Sequence, residues 1–118
     1  MKHFLAVYTG TPEAMEASGW NALPEAVRQQ RTQAGIAAWQ AWMQTHQARI
    51  VVAGGPIGKT RRVSPRGVEE AHNNICGYVV VSADSHAAAA KLFEGHPHFS
   101  LFPGEAVEVM ECLPVPGA

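Results

Sequence analysis

Two histidines, His96 and His98, flank Pro97 in the segment Gly95-His96-Pro97-His98-Phe99. An imidazole titrates near pH ~6.5, so either ring could take or give a proton at neutral pH. Proline fixes the local backbone, and functional side chains concentrate on loops held by a rigid scaffold. His96 is therefore the expected general acid/base or hydrogen-bond donor, with His98 as a secondary substrate contact. The plainer role for His96 is a favourable charge interaction at a helix C-terminus. Glu108 alternates with Val107 and Val109. If the valines face the helices, Glu108 points away from them. A carboxylate there could orient His96 and complete an acid/base pair, or it could be an exposed strand glutamate or an interface ion pair.

His96, His98 and Glu108 would meet the three-ligand count of a catalytic zinc site. Pro97 restricts chelation by both rings, so no metal is expected. No cofactor is expected either: Gly54-Gly55-Pro56 has neither dinucleotide nor Walker spacing, and a GxSxG elbow is absent. Lys59, Arg61, Arg62 and Arg66 place four cations in eight residues. Arg61 could attract a carboxylate or phosphate, although a solvated loop is the favoured reading of the run, since the chain as a whole is not basic. Tyr8 and Tyr78, on strand-like segments, are the expected pocket-lining residues.

The chain has 118 residues, 47% of them hydrophobic and 16% charged, enough for one domain with a real core. Its net charge of −1 argues against a nucleic-acid or anionic-membrane partner. Cys76 and Cys112 lack CxxC spacing. Buried thiols and a reduced, cytoplasmic setting are expected, with no export signal or spanning segment.

The elements that must position these groups follow from periodicity. Strand formers cover 3–9, 49–57, 75–83 and 105–113. A long helix is expected from Pro24 to about Gln47, with Trp39 and Trp42 packed on the sheet and a kink possible at Gly35. Asp84-Ser85 should cap a second helix from His86 to about Glu94, with Gly95 after it. Residues 58–74 form a long connection or a hairpin arm, residues 96–99 a loop. His46 and His86 fall on exposed helix positions. Residues 1–113 thus make one domain and 114–118 a loose tail. The order β-α-β, arm, β-α-β predicts a ferredoxin-like α+β fold: a four-stranded antiparallel sheet with both helices on one face. The other face, apolar along two strands, calls for a second copy, so a homodimer is expected.

Phe4 to Tyr8, the Trp39/Trp42 helix leading into Val52-Ala53-Gly54-Gly55-Pro56, Gly77-Tyr78-Val79-Val80-Val81, Asp84-Ser85, Gly95-His96-Pro97-His98 and Val107-Glu108-Val109 occur in this order over nearly the whole chain. Together they resemble the YCII-related (YciI-like, DGPF-type) family. The resemblance implies a dimeric α+β barrel with a small-molecule pocket in each half. Some members resemble enzymes that eliminate HCl from chlorinated hydroquinone-type compounds through a helix histidine and an aspartate before proline. Aligned through Gly55-Pro56, those positions hold Ala38 and His96, so that elimination chemistry does not carry over. What remains expected is a small metabolite and cofactor-independent, lyase-like acid/base chemistry, or a binding module without turnover.

Overall fold

Strand β1 (Lys2–Thr9) is buried over most of its length, as its apolar composition requires of a central strand. In a computed structural model, which describes residues 1–117, it pairs antiparallel with two neighbours. These are β5 (Ile75–Ala83) and β6 (Ala106–Glu111). Strand β2 (Ile50–Pro56) adds to the far side of β5, giving the order β2-β5-β1-β6. This is the expected ferredoxin-like sheet.

Register decides which face is covered. Phe4, Ala6 and Tyr8 stand opposite Val81, Val79 and Gly77, and this face carries the core together with Trp42, Ala89 and Phe93. The covering layer is α2 (Glu25–Thr45) and α3 (His86–Lys91). Two short helices, α1 (Pro12–Ala17) and α4 (Pro97–Ser100), flank it. Trp42 fixes the layer: its indole N–H donates to the Leu92 carbonyl at 3.0 Å. The other face presents Leu5, Val80 and Met110 with no helix over it.

Helix ends follow side-chain chemistry. Pro24 precedes the first turn of α2, with φ −58° and ψ 150°, rather than sitting inside it. The Ser85 hydroxyl accepts the Ala88 N–H at 3.1 Å, as expected of a cap. The helix after it stops at Lys91, and turns carry the chain to Gly95, whose φ of 67° needs glycine. Gly35 does not break α2. The Phe102 ring lies where a Cβ would be, about 2.5 Å away, so the glycine is a seat for an aromatic ring.

Residues 58–74 hold the hairpin arm, β3 (Thr60–Ser64) paired with β4 (Gly67–Ala71) in a separate sheet. The molecule measures 55 × 41 × 19 Å, with a radius of gyration of 16.3 Å. A compact chain of this length would give roughly 13–14 Å, so the arm stands away from the body. Its thickness is that of one sheet and one helix layer. The basic run is not a free cationic loop: Arg61 and Arg62 face Glu70 and Glu69 across the strands, and Arg62 Nε lies 3.9 Å from Glu69 Oε1. The cysteines also depart from expectation, since Cys76 and Cys112 are both exposed residues near strand ends. No helix among the described residues is long and apolar enough to cross a membrane.

Candidate functional site

The segment expected to be a loop after Gly95 is a turn of helix, and its cap is an imidazole. His96 has extended backbone, φ −58° and ψ 144°, and Pro97 occupies the first helical position, where a missing N–H costs nothing. The His98 backbone N–H donates to His96 Nδ1 at 2.9 Å. The nitrogen thus does what the side-chain oxygen of asparagine or serine does at other helix starts.

That bond determines the rest of the ring. Nδ1 is an acceptor, so in the neutral imidazole the proton is on Nε2. Nε2 lies 3.4 Å from the Tyr8 hydroxyl oxygen, which accepts from it. His96 has no exposed surface. It is enclosed by Trp39, Trp42, Tyr8 and Phe93, with ring centroids 4.5, 4.7, 5.1 and 5.9 Å away. Burial pushes its pKa down to about 4, and the nearby His98 and His46 imidazoles act the same way. Burial also raises the Tyr8 phenol well above the ordinary range. At neutral pH both groups are uncharged.

His98, on α4, is also buried and reaches the end of β1, where its Nε2–H donates to the Thr9 carbonyl at 2.7 Å. Burial lowers its pKa, opposed by that bond. The ring fits because residue 104 is glycine: a Cβ there would overlap the His98 ring and carbonyl.

Tyr8 and His98 open onto a cavity of about 420 Å³ between α2, the end of β2 and the loop after α4. Ile36, Trp39 and Phe102 form one wall; Ala53, Pro56, Gly77 and Tyr78 form the other. The wall residues include no Asp, Glu, Lys or Arg. Glycines and irregular pairing open the space. The β1–β5 register slips between Tyr8 and Thr9, and the β2–β5 register slips between Val52 and Gly55. Gly54, with φ 62°, lies so close to the Tyr78 carbonyl that a side chain would collide with it. Such bulges at functional sites re-aim side chains. At Gly77 an added Cβ would sit 3.3 Å from the Tyr8 ring, so the missing side chain keeps that ring reachable.

The expected site residues therefore divide. Tyr8, Tyr78 and His98 meet at the cavity, and His96 lies one hydrogen bond behind it. Glu108 is not brought to His96. Val107 and Val109 pack into the core, while Glu108 is exposed on the open sheet face opposite Val7. As an orienter of His96 it is corrected, because strand alternation puts the two on opposite sides of the sheet. Arg61 is on the arm facing Glu70 and does not line the cavity that Tyr8 and His98 border. Trp39, expected as core, is both core and cavity wall. Phe102 is a cavity residue that the sequence marks only indirectly, by a glycine in mid-helix. His86, expected as an idle surface residue, stacks on Phe4 at 5.4 Å and bonds the Val109 carbonyl at 2.7 Å. Among the described residues no group of three His, Cys, Asp or Glu side chains is placed to hold a metal ion.

No protein-family model and no curated protein matches the chain. Among solved structures, the fold is similar to that of 5-chloro-2-hydroxyhydroquinone dehydrochlorinase (TftG) from Burkholderia phenoliruptrix AC1100, in complex with 2,5-dihydroxybenzoquinone. The TM-score is 0.51 and the identity 18%, over 91% of this chain and 89% of that one. At that identity the likeness is one of fold.

Proposed function

We propose that this chain is a YCII-related cytoplasmic protein that works as a homodimer and binds a small, uncharged ring-shaped metabolite in the cavity between α2 and β2. The observation that carries this reading is the cavity itself. It is of ligand size, walled mainly by aromatic and aliphatic side chains with Gln40 and Cys76 among them, and Tyr8 and His98 converge on it. The likeness of fold to a dehydrochlorinase holding a dihydroxybenzoquinone is in keeping with a flat, oxygen-bearing ligand. The dimer covers the open sheet face, where Leu5, Val80 and Met110 would otherwise face water.

The chemistry such a site supports is proton transfer without a cofactor. Neutral His98 donates through Nε2 to Thr9, which leaves Nδ1 as the unprotonated nitrogen able to accept a substrate proton. Tyr8 supplies an O–H to the oxygen on which negative charge develops. The roles given to His96 and Glu108 on sequence grounds thus pass to His98 and Tyr8. A second reading, binding without turnover, is favoured by one observation: His96 is wholly enclosed and its Nδ1 is already occupied.

Proton NMR of acetophenone in D2O separates the two. Its methyl protons can be abstracted next to the carbonyl. Turnover predicts that the protein accelerates their exchange for deuterium, and that His98→Ala abolishes the acceleration. Saturable binding of acetophenone with exchange no faster than in buffer would leave the binding module and remove the enzyme.

A further inference from the structure

Tyr8 holds a proton for which no hydrogen-bond acceptor is placed among the described residues. In its side-chain hydrogen bond the phenol oxygen faces His96 Nε2 at 3.4 Å. Since the His98 amide N–H occupies His96 Nδ1 at 2.9 Å, Nε2 is the protonated nitrogen and the phenol oxygen is the acceptor. The Tyr8 O–H is left to point elsewhere, and Tyr8 borders the cavity. A hydroxyl donor facing an apolar cavity is costly until something accepts from it.

The His96 ring cannot turn to relieve this arrangement. The aromatic rings of Trp39, Trp42 and Phe93 enclose it, and flipping would put the Cδ2–H against the His98 N–H and lose the 2.9 Å bond. The cavity wall has no cation to receive an anion. A carboxylate entering it would lose its hydration and find only neutral donors, the Tyr8 hydroxyl and the Gln40 amide, as compensation. A neutral carbonyl would lose little and gain the Tyr8 bond.

We propose that His96 is a positioning residue that gives its Nε2–H to Tyr8, so that Tyr8 offers its own proton to the cavity, which thereby selects neutral carbonyl-bearing rings over carboxylates. This rests on the ligand cavity proposed above.

Three near-isosteric probes test it: acetophenone, benzoate and ethylbenzene, titrated by NMR, with the bound 13C shift of carbonyl-labelled acetophenone as second readout. Acetophenone should bind about tenfold tighter than benzoate and severalfold tighter than ethylbenzene, the range one hydrogen bond spans. Its carbonyl carbon should move downfield on binding. Tyr8→Phe should lower acetophenone affinity to that of ethylbenzene and abolish the shift, with ethylbenzene binding unchanged. His96→Asn separates positioning from capping, because asparagine keeps the bond to the His98 N–H but cannot reach Tyr8. It should reduce the carbonyl shift while leaving ethylbenzene binding within about threefold, an allowance of under 1 kcal/mol. A purely structural role would leave the shift where it is, and that result overturns the proposal. So does equal affinity for benzoate and acetophenone, or a Tyr8→Phe protein with unaltered acetophenone binding, which decides the matter should His96→Asn not fold. If none of the three probes binds, the cavity reading fails as well.

Discussion

The backbone N–H of His98 donates to Nδ1 of His96 at 2.9 Å, and this one bond makes His96 a helix cap and a neutral donor at once. A protonated His96 would set an N–H against that amide, in a ring of aromatic side chains with no counter-charge. The site is built for the uncharged imidazole.

The first consequence is loss of stability in acid. The His96 pKa falls from about 6.5 in the unfolded chain to about 4 in the fold. Between these values the unfolded state binds more protons, so stability rises with pH. The contribution is fully present above pH ~6.5 and is lost as pH falls towards ~4, amounting to up to about 3 kcal/mol. His98 shifts in the same direction and adds to the slope. Urea unfolding of wild type between pH 7 and 4 should show this loss, and His96→Asn should show less of it. Parallel pH profiles for the two proteins would contradict the assignment.

Gly35 and Phe102 form a second testable pair. In an exposed helix, Gly→Ala adds about 1 kcal/mol. Here a methyl would meet the Phe102 ring, so Gly35→Ala should destabilise the protein and weaken probe binding. In a Phe102→Ala background the same change should stabilise by about 1 kcal/mol. A double-mutant cycle by denaturant unfolding measures the coupling; additive effects would mean that the ring does not occupy the seat.

The proposed dimer makes a mass prediction. Wild type should sediment at twice the 12.7 kDa chain mass. Val80 stands opposite Leu5 on the open sheet face, so Val80→Glu should place a charge in the interface and yield a folded monomer. A wild-type monomer at micromolar concentration would remove the second copy from the account.

The arm should be irrelevant to ligand affinity. Arg61 stands opposite Glu70 on the hairpin, away from the cavity that Tyr8 borders, so Arg61→Ala should change acetophenone binding by less than about twofold, under 0.5 kcal/mol. A larger loss would restore the arm as part of the site.

What the sequence reveals here depends on how local each signal is. Strand β5 is legible to its ends, because Ile75 to Ala83 is a run of strand formers bounded by turn residues. The Ser85 cap is equally local, whereas the helix it starts ends at Lys91, four residues before the glycine expected to stop it. The α4 turn, expected as a loop, has a local cue of its own: proline at a first helical position with a capping side chain just before it. Histidine is seldom thought of as that cap. The site itself is non-local. Tyr8 and His96 are 88 residues apart, and no spacing rule brings them together; only the sheet register and the α4 turn do. Strand alternation did place Glu108 on the side away from the helices. It could not tell that His96 is on the other one.

The most direct test of the cavity is an NMR titration of acetophenone into 15N-labelled protein, repeated on Ala53→Phe. Ala53 borders the cavity but is exposed, so phenylalanine should fill the space without unfolding the chain. The account predicts saturable shifts at the amides of Tyr8, Gly77, His98 and Phe102, none along Thr60–Ala71, and their disappearance in the variant. Shifts spread along the arm, or unchanged in Ala53→Phe, would contradict it.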